Sequence, residues 1–244
     1  MHTWKQFIHS ERDRFSTKHN NMFAFSFSKV LRYYEFLAII LERCKNAGTE
    51  FHATLNALQT SFKDREGALS TEQSRLLENN SHSTLILHLE IESFYLFAKI
   101  LLDKAARALE FYFGKAQRSP LDSHDDLTKN IKKYAAARNI SIPGEELLEI
   151  VGRLKNDVSD YRDQEIAHEK SPRSMKGTAS DAKGTARITT LRIYPTEKDK
   201  QVESKPPEEV LKQIDEYLRL LIIYIGSNRD KTALSQVTET KTNR

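Results

Sequence analysis

The chain has 244 residues, of which 39% are apolar, including twelve Phe and nine Tyr; this supplies a core and excludes a disordered polypeptide. Eight Gly and six Pro are too few to punctuate an all-β sandwich, and 30% charged residues of both signs suit amphipathic helices with solvated outer faces. A net charge of +4 does not demand a nucleic-acid partner, and the single cysteine, Cys44, excludes both an internal disulfide and a Cys-rich zinc site. No apolar leader opens the sequence and no run of 18 apolar residues occurs, so a cytoplasmic protein without membrane association is expected.

The first predicted element is a helix over 2–18, anchored by Trp4, Phe7, Ile8 and Phe15. From Asn21 to Lys45, Phe27, Leu31, Tyr34, Ala38, Leu41 and Cys44 recur at threes and fours, the helical period. Gly48 is expected to stop that helix, and Thr49 to cap another over about 50–65. The polar stretch 67–83 predicts a short helix and a loop. A long central helix follows over about 84–113, apolar around much of its girth, with His88, Glu92, Lys99 and Asp103 as its solvated stripe. Glu90 falls instead among Ile86, Leu89, Phe94 and Phe97, which predicts either a partly exposed carboxylate or an inward one that needs a cationic or hydrogen-bonding partner.

After a break with Pro120, Ser123 or Asp125 caps a helix to about Arg138 that carries a small basic patch of Lys129, Lys132 and Lys133. A helix from Glu145 to Lys170 follows, with the apolar series Leu147, Leu148, Val151, Leu154, Val158 and Tyr161. Residues 171–185 read as a loop, and the β-branched residues near 186–195 as an extended segment or small β hairpin. Pro207 and the acids beside it open a last helix over 207–225. The expected fold class is therefore all-α, a helical bundle. Its expected parts are an N-terminal helical extension over 1–65, a bundle over 66–227 and a frayed tail over 228–244.

Familiar catalytic and metal motifs are missing. The sequence holds no phosphate loop ending Gly-Lys-Ser/Thr, no His-Glu-x-x-His and no Gly-x-Ser-x-Gly, and the eight histidines form no ligand cluster. No cofactor or metal is expected. What remains is the segment Tyr161-Arg162-Asp163-Gln164-Glu165-Ile166-Ala167-His168. His168 continues the inward stripe, where a histidine is by default a satisfied core residue. Arg162 lies six positions earlier, on another face of a straight helix at ~100° per residue. The two converge only if the helix bends, ends between them, or a second chain supplies one. Residues 170–200 carry eight Lys and Arg against three acids, among them Lys170, Arg173 and Lys176, which fits a phosphate-attracting patch or a solvated loop.

Arg162, the polar Asp163 after it, and His168, late in a helical chain behind a long apolar helix, resemble the Arg-x(4–6)-His signature of the HEPN superfamily (higher eukaryotes and prokaryotes nucleotide-binding domain). The resemblance covers roughly residues 80–225; the long basic insertion before the last helix departs from it. The resemblance implies a metal-independent endoribonuclease, a toxin or anti-phage effector, acting on RNA at the seam of a homodimer. It makes His168 the general acid/base, Arg162 the phosphate binder and Asp163 an orienting residue. Glu90 would be a partner of Arg162, while Lys170, Arg173 and Lys176 would hold the RNA backbone. The alternative is a non-catalytic helical module that binds a nucleotide or a protein partner in a regulatory or antitoxin-like role.

Overall fold

The structure, a computed structural model, describes residues 2–62, 69–160, 162, 173–178, 188–193, 202–203 and 205–237. The chain is an all-α helical bundle built on long helices: α1 (His2–Arg12), α2 (Thr17–Phe62), α3 (Thr71–Phe113), α4 (His124–Ala137), α5 (Glu145–Leu154) and α6 (Pro207–Ser227). A π-helical turn, Lys155–Asp160, continues α5. Three short strands also occur: β1 (Arg173–Thr178), β2 (Ile188–Ile193) and β3 (Val202–Glu203), an antiparallel sheet in that order. Thus the hairpin expected near 186–195 is β2, and its main partner β1 lies in the stretch read as a loop. Among the described residues no helix is long and apolar enough to cross a membrane.

Several boundaries differ from expectation: α1 ends at Arg12 rather than near 18, α2 begins at Thr17 rather than Asn21, and two further differences have a clear physical cause. Gly48 does not stop a helix, because α2 runs through it as one element of 46 residues. A mid-helix Gly costs about 1 kcal/mol relative to Ala, and the buried Ala47, Phe51 and His52 around it outweigh that. Thr49, expected as a cap, instead bonds back to the Lys45 carbonyl (3.0 Å) as helical threonines do. The second difference is that α3 begins at Thr71 rather than near 84. Its start is a reciprocal capping box: the Gln73 amide donates to Ser70 Oγ (3.2 Å), and the Ser70 amide donates to Gln73 Oε1 (2.9 Å). Gln73 Nε2 also donates to the Ser61 carbonyl at the end of α2 (2.8 Å).

The chain forms two compact units. Unit 1 joins Met1–Phe36, Phe97–Ser159 and Leu211–Arg244. Its core at one end is aromatic: Phe23 and Phe27 lie 4.4 Å apart between centroids, Trp4 is 5.5 Å from Phe27, and Tyr112 sits against Phe7, Phe15, Phe23 and Phe27. Two polar handles in this core are satisfied internally. Trp4 Nε1 donates to the Phe27 carbonyl (3.1 Å), and the Tyr112 hydroxyl to Glu11 (2.7 Å). Gly114 takes φ +88°, and a Cβ there would meet Arg138 Nη2 at 2.9 Å, so the α3 exit requires glycine. Residues after Ser227 do not fray at once. The Ala233 amide donates to the Tyr112 carbonyl, the Val237 amide donates to the Arg14 carbonyl, and Phe15 bridges Gln236.

Unit 2 joins Leu37–Leu96 and Asp160–Val210. Its helical part packs Leu37, Ile40, Leu41, Cys44, Ala47 and Phe51 of α2 with Leu87, Ile91, Phe94 and Tyr95 of α3 in the buried set. Tyr95 Oη donates to the Lys205 carbonyl (2.7 Å), which ties the approach of α6 to α3.

Candidate functional site

The segment that carries the Arg-x(5)-His motif starts on α5. Gly144 precedes it without a side-chain cap, and Glu145 and Glu146 face the positive end of the helix dipole. Leu147, Ile150, Val151 and Leu154 form the buried face at helical spacing. The α-helix then yields to the π-helical turn Lys155–Asp160, in which each turn takes in about one extra residue. Val158 and Ser159 are both fully buried there. The turn takes Arg162 out of the phase set by Leu147 to Leu154. The inward stripe drawn through Tyr161 to His168 assumed unbroken α-helical spacing, and that spacing ends at Leu154.

Arg162 lies two residues beyond Asp160 and is half-buried. Asp163, His168 and Lys170 lie outside the described residues, so the distance between the two motif groups is not part of the described geometry. Arg173 and Lys176 are on β1, where they pair in register with Ile193 and Thr190 of β2.

Glu90 is inward-facing at 5% exposure, whereas Leu89 of the same predicted inward group is 59% exposed. Its cation is Arg43 of α2, whose Nη2 donates to Glu90 Oε1 at 2.5 Å. Arg43, and not the expected Arg162, meets this carboxylate. Only periodicity could have signalled it, since Arg43 stands one residue before the buried Cys44. The thiol of Cys44 is pushed up to about 12, chiefly by burial and then by the charges of Glu90 and Glu208. It is a buried apolar group rather than a nucleophile.

A second polar centre lies in unit 1, and the sequence reading missed it. Lys99, assigned to the solvated stripe of the central helix, is only 9% exposed. Its Nζ lies 3.1 Å from Asp103 and 3.6 Å from Asp125, the second residue of α4. His124 opens α4 behind the Ser123 cap, and its amide donates to Asp103 Oδ1 (2.8 Å). Its ring stands edge-on to Tyr217 of α6 at 5.7 Å and 89°, and both side chains are fully buried. Neither ring nitrogen of His124 nor the Tyr217 hydroxyl has a hydrogen-bond partner among the described residues. Burial, then the charges of Lys99 and Lys155, pushes the His124 pKa down to about 3. Burial and then Asp103 push Tyr217 up. At neutral pH both are uncharged, so this histidine cannot serve as a general acid there. Four separate chain segments build the centre, which is why no local motif announces it.

No protein-family model, curated protein or solved structure matches the chain.

Proposed function

We propose that the chain is a metal-independent endoribonuclease of the HEPN type, working at the seam of a homodimer as a toxin or anti-phage effector. The observation that supports this reading is the π-helical turn Lys155–Asp160, which ends two residues before Arg162. Such turns are rare and concentrate at functional sites, where they re-aim the residues that follow. The turn precedes both motif residues, so it re-aims Arg162 without bringing it round to His168, and the second chain of the homodimer is what unites the two groups.

RNA carries its own nucleophile, the 2′-hydroxyl. His168 accepts its proton as the 2′ oxygen attacks phosphorus, and a protonated histidine of the second chain returns a proton to the leaving 5′ oxygen. The products are a 2′,3′-cyclic phosphate and a 5′-hydroxyl. Arg162 meets the phosphate oxygens as negative charge accumulates on them, and Asp163 orients it. Lys170, Arg173 and Lys176 hold the strand through its backbone. Glu90 is left out of the chemistry, since Arg43 meets its charge.

The half-burial of Arg162 favours a second reading. There the same fold is a non-catalytic module that binds a nucleotide or a protein partner in a regulatory or antitoxin-like role. Cleavage of labelled single-stranded RNA in EDTA separates the two. The ribonuclease reading expects cyclic phosphate ends from the wild type and none from Arg162→Ala or His168→Ala. Folded but inert wild-type protein, or a strict monomer by gel filtration at micromolar concentration, would overturn it and leave the binding module.

A further inference from the structure

The inner side of α2 in unit 1 supplies Phe23, Phe27 and Val30 to the core, all at 0% exposure. The helix also carries an outer stripe that the core does not use: Met22, Phe25, Lys29, Arg32 and Phe36, spaced alternately by three and four. Phe25 is 58% exposed and Met22 47%. Both cations lie on rings. Lys29 Nζ sits 3.9 Å from the Phe25 centroid, and the Arg32 guanidinium is 5.6 Å from Tyr33 and 5.9 Å from Phe36. Phe97 of α3 backs Tyr33 and Phe36 at 6.0 and 5.8 Å. Residues 14–34 include four Lys and Arg and no Asp or Glu; Arg14 is met by Glu11 and Tyr34 by Asp215 of α6, while the next acid, Glu35, is taken by Lys5 at 3.2 Å.

We infer that this stripe of α2 docks single-stranded nucleic acid, with bases stacking on Phe25 and on the Arg32 guanidinium and the two cations meeting phosphates. Exposed rings interleaved with cations form a stacking platform that tolerates any base, and Lys29 and Arg32, which form no ion pair among the described residues, attract a polyanion. Seven residues separate the two stacking stations, ~10.5 Å along the helix, so neighbouring nucleotides can use both. A second copy of the chain fits poorly. Antiparallel pairing centred on the stripe sets Lys29 against the other copy's Lys29, and other registers press these cations onto Met22, Phe25 or Phe36. An anionic membrane would favour an unbroken apolar face with cations at its edges, whereas here the cations interrupt the stripe. The inference rests on the ribonuclease reading only in taking RNA as the strand.

The test is fluorescence anisotropy of a short labelled single-stranded RNA in EDTA with the full chain. Wild type is compared with Phe25→Ala, the double variant Lys29→Gln/Arg32→Gln, and His168→Ala. Because Phe25 and Arg32 are exposed, circular dichroism should show intact folds. Phe25→Ala is expected to weaken binding about tenfold. The double variant should weaken it and flatten the log–log salt slope by about 1.4. In His168→Ala the RNA stays intact, so stripe losses repeated in that background come from binding and not from cleavage. If wild type does not bind, or the stripe variants bind unchanged, the inference is overturned. The same holds if they lose only phosphatidylserine vesicles. Binding that depends on the stripe without any cleavage sinks the ribonuclease reading and leaves this one standing. Cleavage with unchanged affinity in Phe25→Ala does the reverse.

Discussion

Replacing His124 by Phe tests the buried centre of unit 1. The unfolded chain takes up a proton on this histidine near pH 6.5, whereas the native state refuses it until about 3. Between those values the unfolded state binds more protons, so native stability falls as pH falls. The slope is about 1.4 kcal/mol per pH unit, and going from pH 7.5 to 5 costs about 2 kcal/mol. His124→Phe keeps a ring edge-on to Tyr217 and leaves the backbone bond to Asp103 in place, while it removes two buried nitrogens that lack partners. At pH 7.5 the variant should therefore be as stable as wild type to within about 1 kcal/mol, or more stable. At pH 5 it should lead by about a further 2 kcal/mol. The only tryptophan, Trp4, is buried in the same unit, so its fluorescence during urea unfolding reports the relevant transition. Parallel pH profiles for wild type and variant would refute the reasoning, because the carboxylates common to both cannot distinguish them.

The Glu90–Arg43 pair predicts an asymmetry. Arg43→Ala leaves a 5% exposed carboxylate without its cation and should cost ~2 kcal/mol or more, whereas Glu90→Gln leaves an exposed arginine and should cost less. Urea midpoints of the two variants and of the double variant check this; equal losses would dismiss the pair. Cys44 should resist a disulfide reagent at pH 8 in the native state and react fully once the chain is unfolded, since burial holds its thiol protonated. Rapid native labelling would show that the α2 face around it opens.

Much of the fold is legible without coordinates. Phe, Leu and Ile at threes and fours mark α2, α3, α5 and α6, since a helix shows its buried side every 3.6 residues wherever it lies. The Ser123 cap of α4 and Pro207 at the start of α6 are likewise local signals. The Ser70–Gln73 box was equally legible and was hidden only by the polarity of the stretch around it. Element lengths were less legible. Gly48 carries a real local penalty, and only the burial of its neighbours in unit 2 overrides it.

The sites divide along the same line. The sequence by itself put Glu90 on an inward phase of α3 that also admitted partial exposure, and put Arg162 and His168 on different faces of a straight helix. The partner of Glu90 was decided by tertiary structure, since Arg43 is 47 residues away. The same is true of the burial of Lys99 and His124, which depends on α3, α4 and α6 meeting in unit 1. Periodicity reports which side of a helix turns inward. Which charges meet there depends on contacts between segments far apart in the chain, and no local pattern encodes those.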